Sequence, residues 1–247
     1  AVKIDEQGIF STARSSAKQT HPASIPKEAS NDESNVPDSV KQGLLAHYPF
    51  DGDAKDVSGN GHHGKVNSAE LAADRFGNED KAYRLTTWWR EGNLPKDWGI
   101  SLGDFDQLDS PESFSFSLWF KREINHGGGH TNTAFSVNNV LISQASYDMG
   151  WQEGKKISNL EIGSEGGILE IYVDAGDSPA DGTVMVNAGV TSGRWHHIAL
   201  TYGNGLSVYF DGKHLKTWDH YKGKLQNSGT LPLTLGASGQ NKKYWGG

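Results

Sequence analysis

The residues best suited to chemistry lie in one loop, Asp51-Gly52-Asp53-Ala54-Lys55-Asp56-Val57-Ser58-Gly59-Asn60-Gly61-His62-His63-Gly64. Asp51, Asp53 and Asp56 supply carboxylate oxygens, Ser58 and Asn60 add neutral oxygens, and Gly59 and Gly61 let backbone carbonyls turn inward. A hard cation such as Ca2+ takes about six to eight oxygens in irregular geometry, so the donor chemistry suits it. The spacing and the missing terminal Glu exclude an EF-hand loop. The same residues suit a loop without metal, in which the carboxylates accept backbone N–H bonds as Asx turns. On the residues alone both readings stay open.

Aromatic residues form a second group. Trp88, Trp89, Trp98, Trp151, Trp218 and Trp245 fall in or beside turn-rich stretches, with Arg90 and several Asp and Asn nearby. Stacking faces with directed polar groups are what a saccharide site needs. Trp88, Trp89, Arg90, Trp98 and Trp151 are the candidate ligand contacts, although loop tryptophans can equally cover sheet edges. Trp119 and Trp195 fall on predicted strands and are read as core.

The remaining groups point away from zinc and from catalysis. His196 and His197 are adjacent on a predicted strand, so they face opposite ways and do not share one ion easily. His126 and His130 flank three glycines, where ordering opposes tight binding. Glu161 and Glu170 place carboxylates on strands, and a retaining glycosidase needs two of them about 5–5.5 Å apart. Alternate strand positions are as readily a solvated face. There is no Gly-x-Ser-x-Gly elbow and no phosphate loop. The expectation is a protein that binds rather than catalyses.

The elements that must position these groups are strands. Phe114-Ser115-Phe116-Ser117-Leu118-Trp119-Phe120-Lys121 alternates apolar and small residues. Trp195 through Tyr202 and Leu206 through Phe210 read as strands joined by Asn204-Gly205, and Asp211-Gly212 makes the next turn. Shorter strands are expected at 44–50, 82–85, 99–102, 140–143, 160–162, 168–173, 183–186 and 231–236. No convincing long helix is present. With 247 residues, 31 Gly, eight Trp and 35% apolar residues, the chain suits an all-β, two-sheet antiparallel β-sandwich, or jelly roll. The net charge of −7 argues against nucleic acid or an anionic membrane as partner. No apolar run approaches the roughly 18 residues of a membrane span. Cysteine is absent, which removes disulfides and thiolate sites together.

Five motifs in order resemble the laminin-G-like, concanavalin A-like lectin/glucanase family of bacterial extracellular modules. They are Tyr48 through Gly64, Phe114 through Lys121, Trp195-His196-His197-Ile198-Ala199, Tyr209-Phe210-Asp211-Gly212-Lys213 and Leu233-Thr234-Leu235-Gly236. The resemblance covers residues 43–247. It implies a Ca2+-stabilised, non-catalytic extracellular module that recognises a glycan or a surface protein, matured by removal of a signal sequence. It singles out Asp56 and the carbonyls of Asn60 and His63 as calcium ligands, with Asp51, Asp53 and Ser58 beside them. The Glu-x-Asp-x-x-Glu spacing of the family's glucanases is absent.

Two parts of the chain are expected to stand apart. Residues 1–40 read as a polar extension before a domain at 41–247, although Val2, Ile4, Ile9 and Phe10 could form a short strand. The family's usual closing strand does not follow Tyr244-Trp245-Gly246-Gly247. That would leave a sheet slot to be closed by missing sequence, by a cleaved chain, or by residues 1–13 of another copy. The alternative function is therefore a structural subunit of a surface assembly joined by strand donation.

Overall fold

A computed structural model describes residues 41–85, 99–122, 140–146, 157–175, 182–225 and 231–236, and the backbone of 2–10. The strands run in the order β1 (Val2–Phe10), β2 (Leu44–Tyr48), β3 (Lys65–Ala72), β4 (Ala82–Leu85), β5 (Gly99–Gly103), β6 (Phe114–Arg122) and β7 (Val140–Ser146). They continue as β8 (Ile157–Glu165), β9 (Ile168–Val173), β10 (Gly182–Asn187), β11 (Trp195–Gly203), β12 (Gly205–Phe210), β13 (Lys213–Trp218) and β14 (Leu233–Leu235). No helix among the described residues is long and apolar enough to cross a membrane.

Every described pairing is antiparallel. One layer is ordered β3-β4-β1-β6-β11-β12-β13, with β2 beside β1, and the other β10-β9-β8-β7-β14-β5-β3. The strand β3 belongs to both. Its first half, Lys65–Ser68, pairs with β5 with a register shift between Val66 and Ser68, and Ala69–Ala72 then pairs with β4. A sandwich corner needs a strand that changes sheets at such an irregularity. Its sequence, KVNSAELA, carries no clean period-2 pattern because its two halves serve different layers, and it was missing from the strands expected above.

The two inner faces share one core. Phe116, Leu118, Phe120, Ile198, Leu200 and Val208 come from the first layer, and Ile100, Ile142, Ile162, Ile171 and Leu235 from the second. On β6 the burial alternates strictly, with Phe114, Phe116, Leu118, Phe120 and Arg122 inside and Ser115, Ser117, Trp119 and Lys121 half-buried. On β11 the inner set is His196, Ile198, Leu200 and Tyr202. The fold is an all-β jelly-roll sandwich.

Residues 2–10, read as the start of a polar extension with a short strand through Val2, Ile4, Ile9 and Phe10, form the strand β1 in the middle of the first layer. Residues 11–40 lie outside the described residues.

The close fit at β5 gives a stability test. Gly99 has φ +69°, and a Cβ there would collide with the Leu235 carbonyl oxygen of the adjacent β14. Gly61 has φ +79° with open space around it. Gly61→Ala should cost about 1 kcal/mol from backbone strain alone. Gly99→Ala should cost about 3 kcal/mol or more, because backbone must also shift. Urea denaturation of the two variants measures the difference.

Candidate functional site

The loop 51–64 is organised by Asp56. The carboxylate is buried and accepts four hydrogen bonds. Oδ1 takes the N–H groups of His47 at 2.9 Å and Ser58 at 2.8 Å, and Oδ2 takes the Ser58 hydroxyl at 2.9 Å and the His62 N–H at 3.1 Å. The Asn60 carboxamide donates to the carbonyls of Leu44 and Leu45 at 2.9 and 3.0 Å, which fastens the loop to β2. The His63 Nδ1 accepts the Asp56 N–H at 3.2 Å. Asp53 pairs with Lys55 at 2.8 Å, and Asp51 pairs with Lys81.

This arrangement fits a cation poorly at its centre. The Asp56 oxygens already hold four protein donors, so coordination would have to displace them. Asp51 and Asp53 lie in exposed ion pairs worth little, and their oxygens could be released. Among the described residues no three His, Asp or Glu side chains are grouped to hold a metal.

A trio elsewhere has the look of a catalytic relay and a different use. His196 Nδ1 lies 2.9 Å from Asp211 Oδ2, and Nε2 lies 3.1 Å from Thr191 Oγ1. However, Nε2 also accepts the Thr191 backbone N–H at 3.1 Å. That bond fixes the neutral tautomer with its proton on Nδ1, donated to Asp211. The Nε2 lone pair is spent on the backbone amide and does not activate the hydroxyl. The ring packs on Phe210 at 4.8 Å and ties three segments together. Glu161 is fully buried and accepts the Ser143 hydroxyl at 3.1 Å, and Glu170 on β9 is buried as well.

The accessible chemistry lies on the outer face of the first layer. Because β6 and β11 bury alternate residues, Trp119 and Trp195 face outward, which corrects their reading as core. Register sets His197 opposite Trp119 and Trp195 opposite Lys121. The Trp119 and His197 rings lie 5.0 Å apart, and the Lys121 ammonium sits 5.4 Å from the Trp195 ring. Next to them, the turn after β3 brings Arg75 over two rings, 4.5 Å from Phe76 and 4.9 Å from Trp119.

That turn is built to hold its shape. Asp74 Oδ1 accepts the N–H groups of Phe76 and Asn78, both at 2.8 Å, and Oδ2 accepts the Asn78 side chain at 2.9 Å. Phe76 is thereby held 64% exposed. An exposed phenylalanine on a braced turn beside an outward tryptophan is unusual for a surface with only solvent to face. The face continues along the sheet through Ser117 and Ala199 to Tyr209, whose ring is 5.2 Å from His214.

Trp88, Trp89, Arg90, Trp98, Trp151 and Trp245 lie outside the described residues. Trp218, expected beside a loop, closes β13 and is buried.

The Laminin_G_3 pattern, described as the concanavalin A-like lectin/glucanases superfamily, matches residues 94–247. The chain belongs to that superfamily. Among solved structures it is similar to domain 4 of AbnA, a GH43 extracellular arabinanase from Geobacillus stearothermophilus solved with arabinotriose. The identity is 22%, over 80% of this chain and 84% of that one, with a TM-score of 0.49. It is also similar to the binding domain of botulinum neurotoxin serotype G, at 13% identity over 72% of this chain and 42% of that one, with a TM-score of 0.45. The superfamily chain thus spans less than half of the toxin domain. At these levels neither likeness bears on what it binds. No curated protein matches the sequence.

Asp56 makes acid stability a test of the loop. Burial raises the carboxyl pKa, but the hydrogen bonds from His47, Ser58 and His62 outweigh it and hold the group below its usual value. A depressed carboxyl stabilises the fold above its unfolded pKa of about 3.9, and that stability is lost as pH falls through the folded value. Asp56→Asn should lose about 2–4 kcal/mol at neutral pH, since the amide presents N–H where acceptors are needed. Its urea midpoint should also fall less steeply than wild type below about pH 4.

Proposed function

We propose that this protein is a non-catalytic carbohydrate-binding module that takes saccharide on the outer face of its first layer. The observation that carries the reading is the platform of Arg75, Phe76, Trp119 and His197, extended by Trp195 and Lys121. Sugar rings present apolar C–H faces and a rim of hydroxyls. Flat aromatic faces satisfy the first and cationic or imidazole N–H donors the second. Braced turns and strands hold these groups in place before the ligand arrives, which lowers the ordering cost of binding.

Membership of the lectin/glucanase superfamily supports a binding role. The burial of Glu161 and Glu170 and the committed His196 lone pair support the absence of catalysis. Trp88, Trp89, Arg90, Trp98 and Trp151 enter the reading as a second set of contacts. A secreted or cell-surface location goes with the same reading. Calcium enters through the resemblance alone. It requires a rise in Tm with Ca2+ that EDTA reverses, and an unchanged Tm rules it out.

An oligosaccharide array, followed by calorimetry on the best binder, tests the site. Phe76→Ala and Trp119→Ala should each weaken binding about tenfold or more, which is about 1.4 kcal/mol. Phe76→Ala should leave Tm unchanged, because the ring is mostly in water. Loss of binding in Trp88→Ala, Trp89→Ala or Trp151→Ala, with both platform variants binding as wild type, would move the site to the second set. No binding to any saccharide, or turnover of a polysaccharide, would end the reading.

A further inference from the structure

The strand β1 is the seam of the first layer. Along one edge it pairs with β6 from Val2↔Arg122 to Phe10↔Ser115. Along the other, Val2–Ile4 pairs with β4 and Gln7–Phe10 with β2. Without β1, β6 loses a partner along nearly its whole length, and β2 has no other strand partner among the described residues. The layer would then fall into two parts with unpaired backbone on both sides of a slot, which is costly.

The segment is written for that slot in detail. Ile4 and Ile9 are five apart, an odd spacing that a regular strand cannot place on one face. The register shifts between Asp5 and Gln7, so that Val2, Ile4, Gln7 and Ile9 stand opposite Arg122, Phe120, Leu118 and Phe116, the buried set of β6. A bulge supplies the extra residue that restores the parity.

The connection is out of proportion to this fit. Phe10 stands opposite Leu44, so the strand ends adjoin. A hairpin there needs about two to five residues, but residues 11–43 intervene, polar and with prolines at 22, 26 and 37. Thirty-three residues fully extended reach about 110 Å, several times the radius of gyration of roughly 17 Å expected of a domain of about 200 residues. The backbone bonds in the slot are the same whichever copy supplies the strand. Only effective concentration favours the strand's own chain, and for a tethered segment that advantage is on the order of millimolar.

We infer that residues 2–10 are an exchangeable strand, and that a second copy of this chain donates its β1 into the slot between β6 and the β2–β4 edge. Two chains exchanging strands close into a dimer, and a chain of donors each filling the next extends without closure. Exchange becomes favoured where local protein concentration approaches the tether's value, as on a crowded surface or in an array.

The absence of native cysteine makes a direct test possible. Lys3 and Lys121 are Cα partners across β1 and β6, at a spacing a disulfide can bridge. The double variant Lys3→Cys/Lys121→Cys, oxidised at micromolar concentration, should close within one chain. A mixture of Lys3→Cys and Lys121→Cys chains, held near millimolar concentration and warmed before oxidation, should give a covalent dimer linked by those two residues. Its yield should rise with concentration and exceed that of Lys3→Cys mixed with Lys213→Cys. A double variant that closes while the mixture stays monomeric at every concentration overturns the proposal. So does a double variant that fails to close, or a mixture no better than its control.

Discussion

The whole arrangement depends on the pairing of β6 on both of its edges, with β1 on one side and β11 on the other. An antiparallel strand held on both sides has no freedom to slip, and its period of two then divides its residues between core and surface. Phe114, Phe116, Leu118 and Phe120 are committed to the interior, and Trp119 is committed outward with equal force. The same register brings His197 and Trp195 beside it from β11. Core and platform are thus two consequences of one constraint. A slip of one residue would bury the polar set and expose the phenylalanines.

Two local networks do work that disulfides do in many secreted domains. Asp56 gathers three backbone N–H groups and a hydroxyl and ties the loop 51–64 to β2. Asp211, at φ +47° in the turn after β12, accepts the His197 N–H and holds His196. Each uses a carboxylate as a multiple acceptor, which is stronger than neutral hydrogen bonding and more sensitive to acid. In that loop the Asp56 oxygens are spent on the chain itself, whereas those of Asp51 and Asp53 lie in exposed ion pairs.

Much of this was legible in the sequence, and the failures have physical causes. The alternation of β6 and the turns at 204–205 and 211–212 gave the layers. The same alternation contained the correction for Trp119, because Ser115, Ser117 and Lys121 share its parity and the phenylalanines do not. Trp195 is likewise out of step with Ile198, Leu200 and Tyr202. Reading a tryptophan on a strand as core weighs residue type above parity, and parity prevails in a two-layer sheet. The platform's other half was not legible: Arg75 and Phe76 come from a turn whose position depends on β3 changing sheets. A short strand through Val2, Ile4, Ile9 and Phe10 was legible, but its place between β6 and the β2–β4 edge was not, since the odd spacing of Ile4 and Ile9 fits a strand only through the bulge between Asp5 and Gln7. The acidic loop was ambiguous for another reason. The donor oxygens of a calcium loop and of an Asx-turn loop are the same atoms, and only the direction in which they point separates the two.

Saccharide on the outer face of the first layer would lie against Trp119 and Trp195. The indole N–H resonances of the eight tryptophans, followed by NMR while the saccharide selected on the array is titrated in, test that placement most directly. Trp119 and Trp195 should shift in proportion to occupancy while buried Trp218 stays fixed. Shifts confined to Trp88, Trp89, Trp98, Trp151 or Trp245, with Trp119 and Trp195 unmoved at saturation, would contradict it.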